Sequence, residues 1–394
     1  MGFAKNAMMA AAEDGYWSSD KSICPAHLDD PYLRALLESN LDEETCSYCG
    51  ASGEGAEEPV AASLDIVLSA FISAASRFYE RADGSIVFDG ETMVETCDAD
   101  DVLDDLMPPG DVHADEIRGD MAEAMRDTLW LPANWARLAP DEVLLYSWDA
   151  FQEVVKHQSR YLFSDFVDPV DDERLSPRAL FARIAESAAR DEGMFYAPCP
   201  TLYRARAFAE EPDVAEYGCA AQLGAPPKTL TAANRMSPAG ISMFYGATDP
   251  ATAITEVTAH SPHKHVLVGE FAPLRELRLL NLTHIPDIPS PFDPAQLDRF
   301  FMTRFLQRFV ADLIKPVELD GPEHIEYVPT QVFTEYIRQS FPGRLDGMIF
   351  PSAQGAGSNV VLFYDNEFVK DEGCVNDQTR LVLVAGSVEK HTIS

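Results

Sequence analysis

Residues 234–257 read NRMSPAGISMFYGATDPATAITEV, with three unlike reactive side chains at near-even intervals: Arg235 stands ten residues before Tyr245, and Tyr245 eleven before Glu256. Ser237-Pro238-Ala239-Gly240 has the composition of a turn, and GISMFYGA that of a buried strand. Asp249-Pro250 is a helix start, an N-cap acid followed by a proline at the first helical position. A turn, a strand and a helix in this order can bring all three side chains to one rim. Arginine's planar fork suits phosphate, an aromatic ring suits a flat heterocycle, and a carboxylate can hold a hydroxyl or steady a developing cation.

Outward from this stretch, TLYRARAF supplies Arg204 and Arg206 from a short strand upstream, and DGMIFPSAQG supplies Ser352 at a strand end beside a glycine-rich loop. KHVLVGEFAPL, RLLNLT and NVVLFYD are further β-rich runs, and helices are expected at 250–260, 294–314 and 328–340. The half before residue 195 has a different texture. Leu64, Val67, Leu68, Phe71 and Ile72 follow the three-and-four spacing of an amphipathic helix within 60–82, and more helices are expected at 113–130, 148–163 and 177–191. Proline and charge gather in 164–178, the expected linker. The fold class is therefore α+β, and the chain divides into a Cys/His segment (1–58), a helical domain (59–192) and a mixed C-terminal domain (193–394).

Sixty-five Asp and Glu against thirty Lys and Arg leave a formal charge of −35. That field repels a phosphate backbone, so no direct nucleic-acid contact is expected and an anionic ligand needs its own arginines. No apolar run is long enough to span a bilayer, and the first residues carry neither a long apolar stretch nor a cleavage site, so no membrane contact and a cytoplasmic location are expected. Seven cysteines, three of them among the first fifty residues, suit a reducing compartment better than a disulfide framework. Those three belong to Cys24-x-x-His27 and Cys46-x-x-Cys49, which together offer three thiolates and one imidazole, a donor set that closes a tetrahedral structural Zn²⁺ site. Gly50 follows at the point where backbone must turn tightly.

The ordered set of Tyr203-Arg204, Arg235-x-x-x-x-Gly240 before the Tyr245 strand, Ala253-x-x-Glu256-Val257 and Asp346-Gly347-x-x-x-x-Ser352 resembles the RES domain family over most of residues 198–366. EYVPTQVFTEYIR, ending at Arg338, resembles the helix before the final Asp-Gly strand in one branch of that family. Many relatives have Arg-Trp-Asn where this chain has Arg235-Met236-Ser237. ICPAHLDDPYLRALL, CSYCG and VVKHQSRYLF are similar to the HEPN-type helical domain found ahead of RES domains, with His27 where a second cysteine is common. The resemblance implies a fold like that of ADP-ribosyltransferase toxins and an enzyme that consumes NAD⁺ by phosphorolysis, hydrolysis or ADP-ribosyl transfer to a protein. It implies a toxin held by an Xre-type antitoxin or another inhibitor, with phosphate as a co-substrate of the first reaction. Arg204 and Arg235 would then hold the diphosphate, Tyr245 would stack on nicotinamide, Glu256 would act on the ribose, and Ser352 would complete the pocket. Homo-oligomerisation stays open.

Plainer readings exist for the remaining features. His260, His263 and His265 are spaced across a proline in a pattern that fits no helical ligand face, and Gly355-x-Gly357 lacks the helix of a dinucleotide fingerprint. Residues 60–170 contain no Arg-x4–6-His spacing of the kind HEPN ribonucleases use, so the helical domain is expected to serve recognition, dimerisation or control. A protein whose helical half carries the main role, as a binding or regulatory module, is the alternative from another class. The Cys/His spacing predicts about one zinc per chain with Zn–S distances of roughly 2.3 Å by X-ray absorption. Metal-free protein with a fully ordered N-terminus would overturn it.

Overall fold

The β-rich runs after residue 195 assemble into a ten-stranded sheet. The structure, a computed structural model, describes residues 8–393 apart from 12, 54–57, 83–95, 109, 114, 133–137, 163–173, 191–195, 260 and 316–322. Two units divide it, Met1–Pro140 with Ile288–Met302 and Asp141–Asp287 with Thr303–Ser394. Helices and sheet together make the protein α+β. Among the described residues, no helix is long and apolar enough to cross a membrane.

In the first unit, Leu64–Phe78 is the central helix, and Val67, Leu68, Phe71 and Ile72 are buried on its inner side. Ser63 caps its start by accepting from the Asp65 N–H, so the helix begins inside the expected 60–82 window. The helices Pro31–Glu38, Ala99–Leu106 and Asp115–Met125 pack around it, and Phe292 meets Phe71 at 6.0 Å. Two small antiparallel ribbons, Ser22–Ile23 with Ala62–Ser63 and Tyr79–Arg81 with Trp130–Pro132, are additions that the helical reading did not contain.

The sheet of the second unit is built from β1 (Tyr196–Pro198), β2 (Leu202–Phe208), β3 (Phe244–Ala247), β4 (His265–Pro273), β5 (Arg278–Asn281), β6 (Gly347–Pro351), β7 (Ser358–Leu362), β8 (Val369–Asp371), β9 (Leu381–Leu383) and β10 (Glu389–Thr392). Its order is β8-β9-β4-β2-β3-β7-β6-β5-β1, with β10 also on β4. Strands β2 and β4 pair along seven residues, whereas β2 and β3 pair only at Tyr203 and Ala247. On one face Leu202, Phe244, Leu267, Phe271, Val360 and Leu362 form a core. On the other, Ala205, Ala247, Val266 and Val268 pack with Ala253 of the helix Pro250–Thr258.

Strand β3 is shorter than the expected GISMFYGA. Ser242 is buried and donates to the Pro226 carbonyl at 2.6 Å, so the chain reaches the sheet only at Phe244. The helix expected at 148–163 runs instead over Pro140–Glu153 and continues as a π turn, Val154–Gln158. Most of the expected linker lies outside the described residues, and its end is already helical, since Pro177–Arg190 begins there. Helices of this unit share an aromatic core: Phe309 meets Trp148 at 4.8 Å and Phe333 at 5.1 Å, and Phe181 meets Phe151 at 5.1 Å. Phe309→Ala should therefore cost about 3–5 kcal/mol in urea unfolding, while Leu230→Ala, at a side chain 76% exposed, should stay within about 0.5 kcal/mol. Equal effects would show that this cluster is not what holds the helices.

Candidate active site

A cleft of about 440 Å³ opens over the helix-bearing face of the sheet, lined by Arg204, Arg235, Tyr245, Glu256 and Asn359 among others. Each polar group comes from a separate element. Arg204 belongs to β2, Tyr245 to β3, Asn359 to β7 and Glu256 to the helix Pro250–Thr258. That helix starts where the sequence places it, with Pro250 in its first turn and Asp249 as N-cap, accepting from the Thr252 N–H at 2.8 Å. Residues 249 and 256 are two turns apart, so the cap sets where the carboxylate emerges.

Glu256 Oε1 accepts two hydrogen bonds, from Ser352 Oγ at 2.5 Å and from Asn359 Nδ2 at 2.6 Å. Ser352 Oγ in turn accepts from the backbone N–H groups of Gln354 at 3.1 Å and Gly355 at 3.0 Å. The hydroxyl is thereby aimed at the carboxylate. The glycine-rich loop is itself fastened to the helix, because Gly357 N–H donates to Thr252 Oγ1 at 3.2 Å. A Cβ on Gly357 would lie 2.0 Å from Asp249 Oδ2, which is why the loop requires glycine there.

Arg204 donates from Nε to the Gly224 carbonyl at 3.2 Å and from Nη1 to the Tyr245 carbonyl, with its guanidinium 5.5 Å from the Phe244 ring centre. Burial pushes this guanidinium down to about 10, which still leaves it charged at neutral pH. Arg235 donates from Nη1 to the Leu313 carbonyl at 3.0 Å and lies 5.6 Å from the Tyr327 ring centre. Its pKa is lowered by burial, against the opposing pull of Tyr327, Glu256 and Asp312. The Tyr245 hydroxyl donates to Ser237 Oγ at 2.9 Å, and burial pushes it up to about 12, so it remains a neutral donor. Ser237 is fully buried.

The structure thus brings Arg204, Arg235, Tyr245 and Glu256 into one cleft and places Ser352 directly on Glu256. Arg206 is elsewhere, exposed and bonded to Gln222 at 3.0 Å. His263 and His265 do not line the cleft, His265 opens β4, and His260 lies outside the described residues. Sequence reasoning missed Asn359 and Tyr327 of the cleft wall, and it gave Tyr203 no role beyond its place in the motif. Asn359 left one signal, as a polar residue at the head of the apolar run NVVLFYD.

In the first unit, ligand atoms of Cys24, His27, Cys46 and Cys49 all lie within 4.8 Å of one another. The Cys24 and Cys49 sulfurs are 3.7 Å apart, close to the roughly 3.8 Å that two thiolates on one tetrahedral zinc require. His27 Nε2 is buried with no hydrogen-bond partner, as a ligating nitrogen would be. Gly50 adopts φ +68° and donates to the Cys46 carbonyl at 3.0 Å, the tight turn that the spacing demands. The donor set fits a structural zinc ion.

Sheet, helix and cleft define the C-terminal half as a mixed α+β domain with a cleft on one face into which a few polar side chains converge. Residues 201–383 match the RES domain, and residues 39–168 match HEPN/RES N-terminal domain 1; the chain carries both. The solved structure of the M. tuberculosis MbcT-MbcA toxin-antitoxin complex is similar at 15% identity and a TM-score of 0.28, over 52% of this chain and 91% of that chain. No curated protein matches the chain.

Gly357→Ala tests the loop clamp. Displacing Asp249 from its cap should cost about 1–3 kcal/mol and lower the melting temperature by several degrees. An unchanged melting curve would mean that the loop is not fastened through this contact.

Proposed function

We propose that the RES domain binds NAD⁺ in this cleft and breaks the nicotinamide–ribose bond by phosphorolysis or hydrolysis, and that the protein acts as a toxin of a toxin–antitoxin or defence system. The observation that carries this reading is the Glu256 carboxylate, held on one oxygen by Ser352 and Asn359 in a cleft that also contains Arg204, Arg235 and Tyr245. With Oε1 so occupied, Oε2 is the oxygen left to face a ribose. The match to the RES domain supports the same assignment.

In this reading the two arginines hold the diphosphate, and Tyr245 stacks on the nicotinamide ring. The bond between ribose C1′ and the ring nitrogen breaks with its electron pair leaving on nitrogen, so the cationic pyridinium departs as neutral nicotinamide. Positive charge passes to the ribose as an oxocarbenium ion, and Glu256 stabilises it electrostatically. Water attacking C1′ then yields ADP-ribose and a proton; phosphate yields ADP-ribose phosphorylated at that carbon. A protein side chain in the same position would make the reaction ADP-ribosyl transfer. The chemistry asks for positioning and charge stabilisation rather than a nucleophile on the enzyme.

Under the same proposal a zinc ion on Cys24, His27, Cys46 and Cys49 braces the N-terminal segment, and the functional division falls near residues 58 and 192. Glu256→Gln keeps shape while removing charge, so nicotinamide release should fall at least about a hundredfold with NAD⁺ binding and melting temperature little changed. In a growing bacterium the parental chain should arrest growth and the variant should not. Parental nicotinamide release by the variant would remove Glu256 from the reaction, and a parental enzyme that leaves NAD⁺ intact with and without phosphate would remove the function.

A further inference from the structure

Arg235 is held from two sides, and each hold is one residue away from an acid. Its Nη1 bonds the carbonyl of Leu313, next to Asp312, and its guanidinium faces the ring of Tyr327, next to Glu326. Asp312 Oδ2 accepts from Trp148 Nε1 at 2.7 Å and from Gln152 Nε2 at 2.9 Å. Glu326 Oε2 accepts from Lys156 Nζ at 2.7 Å. The three donors stand at residues 148, 152 and 156, four apart, which is one stripe along a helix. That stripe begins on Pro140–Glu153 and ends in the π turn Val154–Gln158, an irregularity that recurs at functional positions in helices. All three residues fall within the match to HEPN/RES N-terminal domain 1 and outside the match to the RES domain.

The contacts are tight enough to constrain. Lys156 is 16% exposed and Glu326 41% exposed in this pair, so the bridge is buried on the lysine side and partly screened on the other. Trp148 is buried, edge-on to Phe309 of the helix that presents Leu313, and so its indole cannot swing away from Asp312. We infer that Trp148, Gln152 and Lys156 are positioning residues for Arg235, through which the end of the segment matching HEPN/RES N-terminal domain 1, packed in the same unit as the cleft, sets the affinity of the cleft for its anionic substrate. The inference rests on the reading of Arg235 as a diphosphate-holding group. Nothing in the stripe touches the cleft itself, so the effect passes through Leu313 and Tyr327.

Charge reversal separates this role from a merely structural one. In the full chain, Lys156→Glu and Glu326→Lys should each raise the KM for NAD⁺ about tenfold or more with kcat within about twofold, since uniform binding is lost and the chemistry is not. The double swap re-forms the pair and should return KM to within about threefold of the parental value. Where a reversal fails to fold, Lys156→Met takes its place and should show the same rise in KM. An unchanged KM in the single variants, or a raised KM that the swap does not restore, overturns the inference. If the parental chain releases no nicotinamide, the functional reading fails separately. Amide hydrogen exchange of the peptide containing Arg235 then decides: faster exchange in Lys156→Glu that reverts in the swap supports the coupling, and unchanged exchange overturns it.

Discussion

Strands β2 and β3 part company after Tyr203 and Ala247, and the Tyr245 carbonyl on the β2 side of the gap is taken by a guanidinium. A buried carbonyl must find a donor, and a sheet that splits without one would be strained or wet. Arg204 resolves this by bonding Tyr245 and Gly224 together. The segment that carries Gly224 is pinned in turn, with the Ala220 N–H on Asp371 at 2.7 Å and Asn366 on the Ala221 carbonyl at 3.2 Å. The cleft exists because the sheet opens here, and it stays open because an arginine side chain occupies the place of a ladder bond.

On the far side of β3 the same economy of groups governs Glu256. Ser352 Oγ accepts two backbone N–H bonds, and its single hydrogen is given to the carboxylate. A serine whose proton is committed to a neighbouring carboxylate, with both lone-pair sites filled, is poorly placed to attack an electrophile. It acts as a rigid donor that fixes one carboxylate oxygen. Asn359 fixes the same oxygen from β7, so helix, loop and sheet converge on a single atom of a residue that lines the cleft.

Much of this was legible beforehand because local chemistry reported it. The Asp249-Pro250 start, the Leu64–Ile72 periodicity and the helix Val328–Ser340 follow from capping and spacing, which operate within a few residues. The Arg, Tyr, Glu and Ser positions came from an ordered pattern spread over 149 positions, Arg204 to Ser352. Asn359 was not legible, because only the pairing of β7 between β6 and β3 sets it beside Glu256, and pairing is a long-range fact. Strands β1, β8, β9 and β10 are three or four residues long, some of them polar, and short segments leave no periodicity to read. Where many relatives have Trp-Asn, Met236 of this chain is fully buried. In the fold Ser237 accepts the Tyr245 hydroxyl, a role that a sequence motif does not display.

Charge gives the cleft its character. In a chain with 65 acidic and 30 basic residues, carboxylates far outnumber the cations that could pair with them, and the net field is strongly negative. Yet the hydrogen bonds of Arg204 and Arg235 run to carbonyls of Gly224, Tyr245 and Leu313, and among the described residues neither forms an ion pair. Carbonyl dipoles orient a guanidinium without cancelling its charge. Leu313 also lies in the last turn of its helix, where the exposed carbonyls favour a cation. Two half-buried positive charges without a carboxylate partner are what the proposed binding of a small anion asks of the cleft. Under the proposed function, a net acidic surface would favour selectivity, repelling large polyanions while the two arginines keep the cleft attractive to a small one.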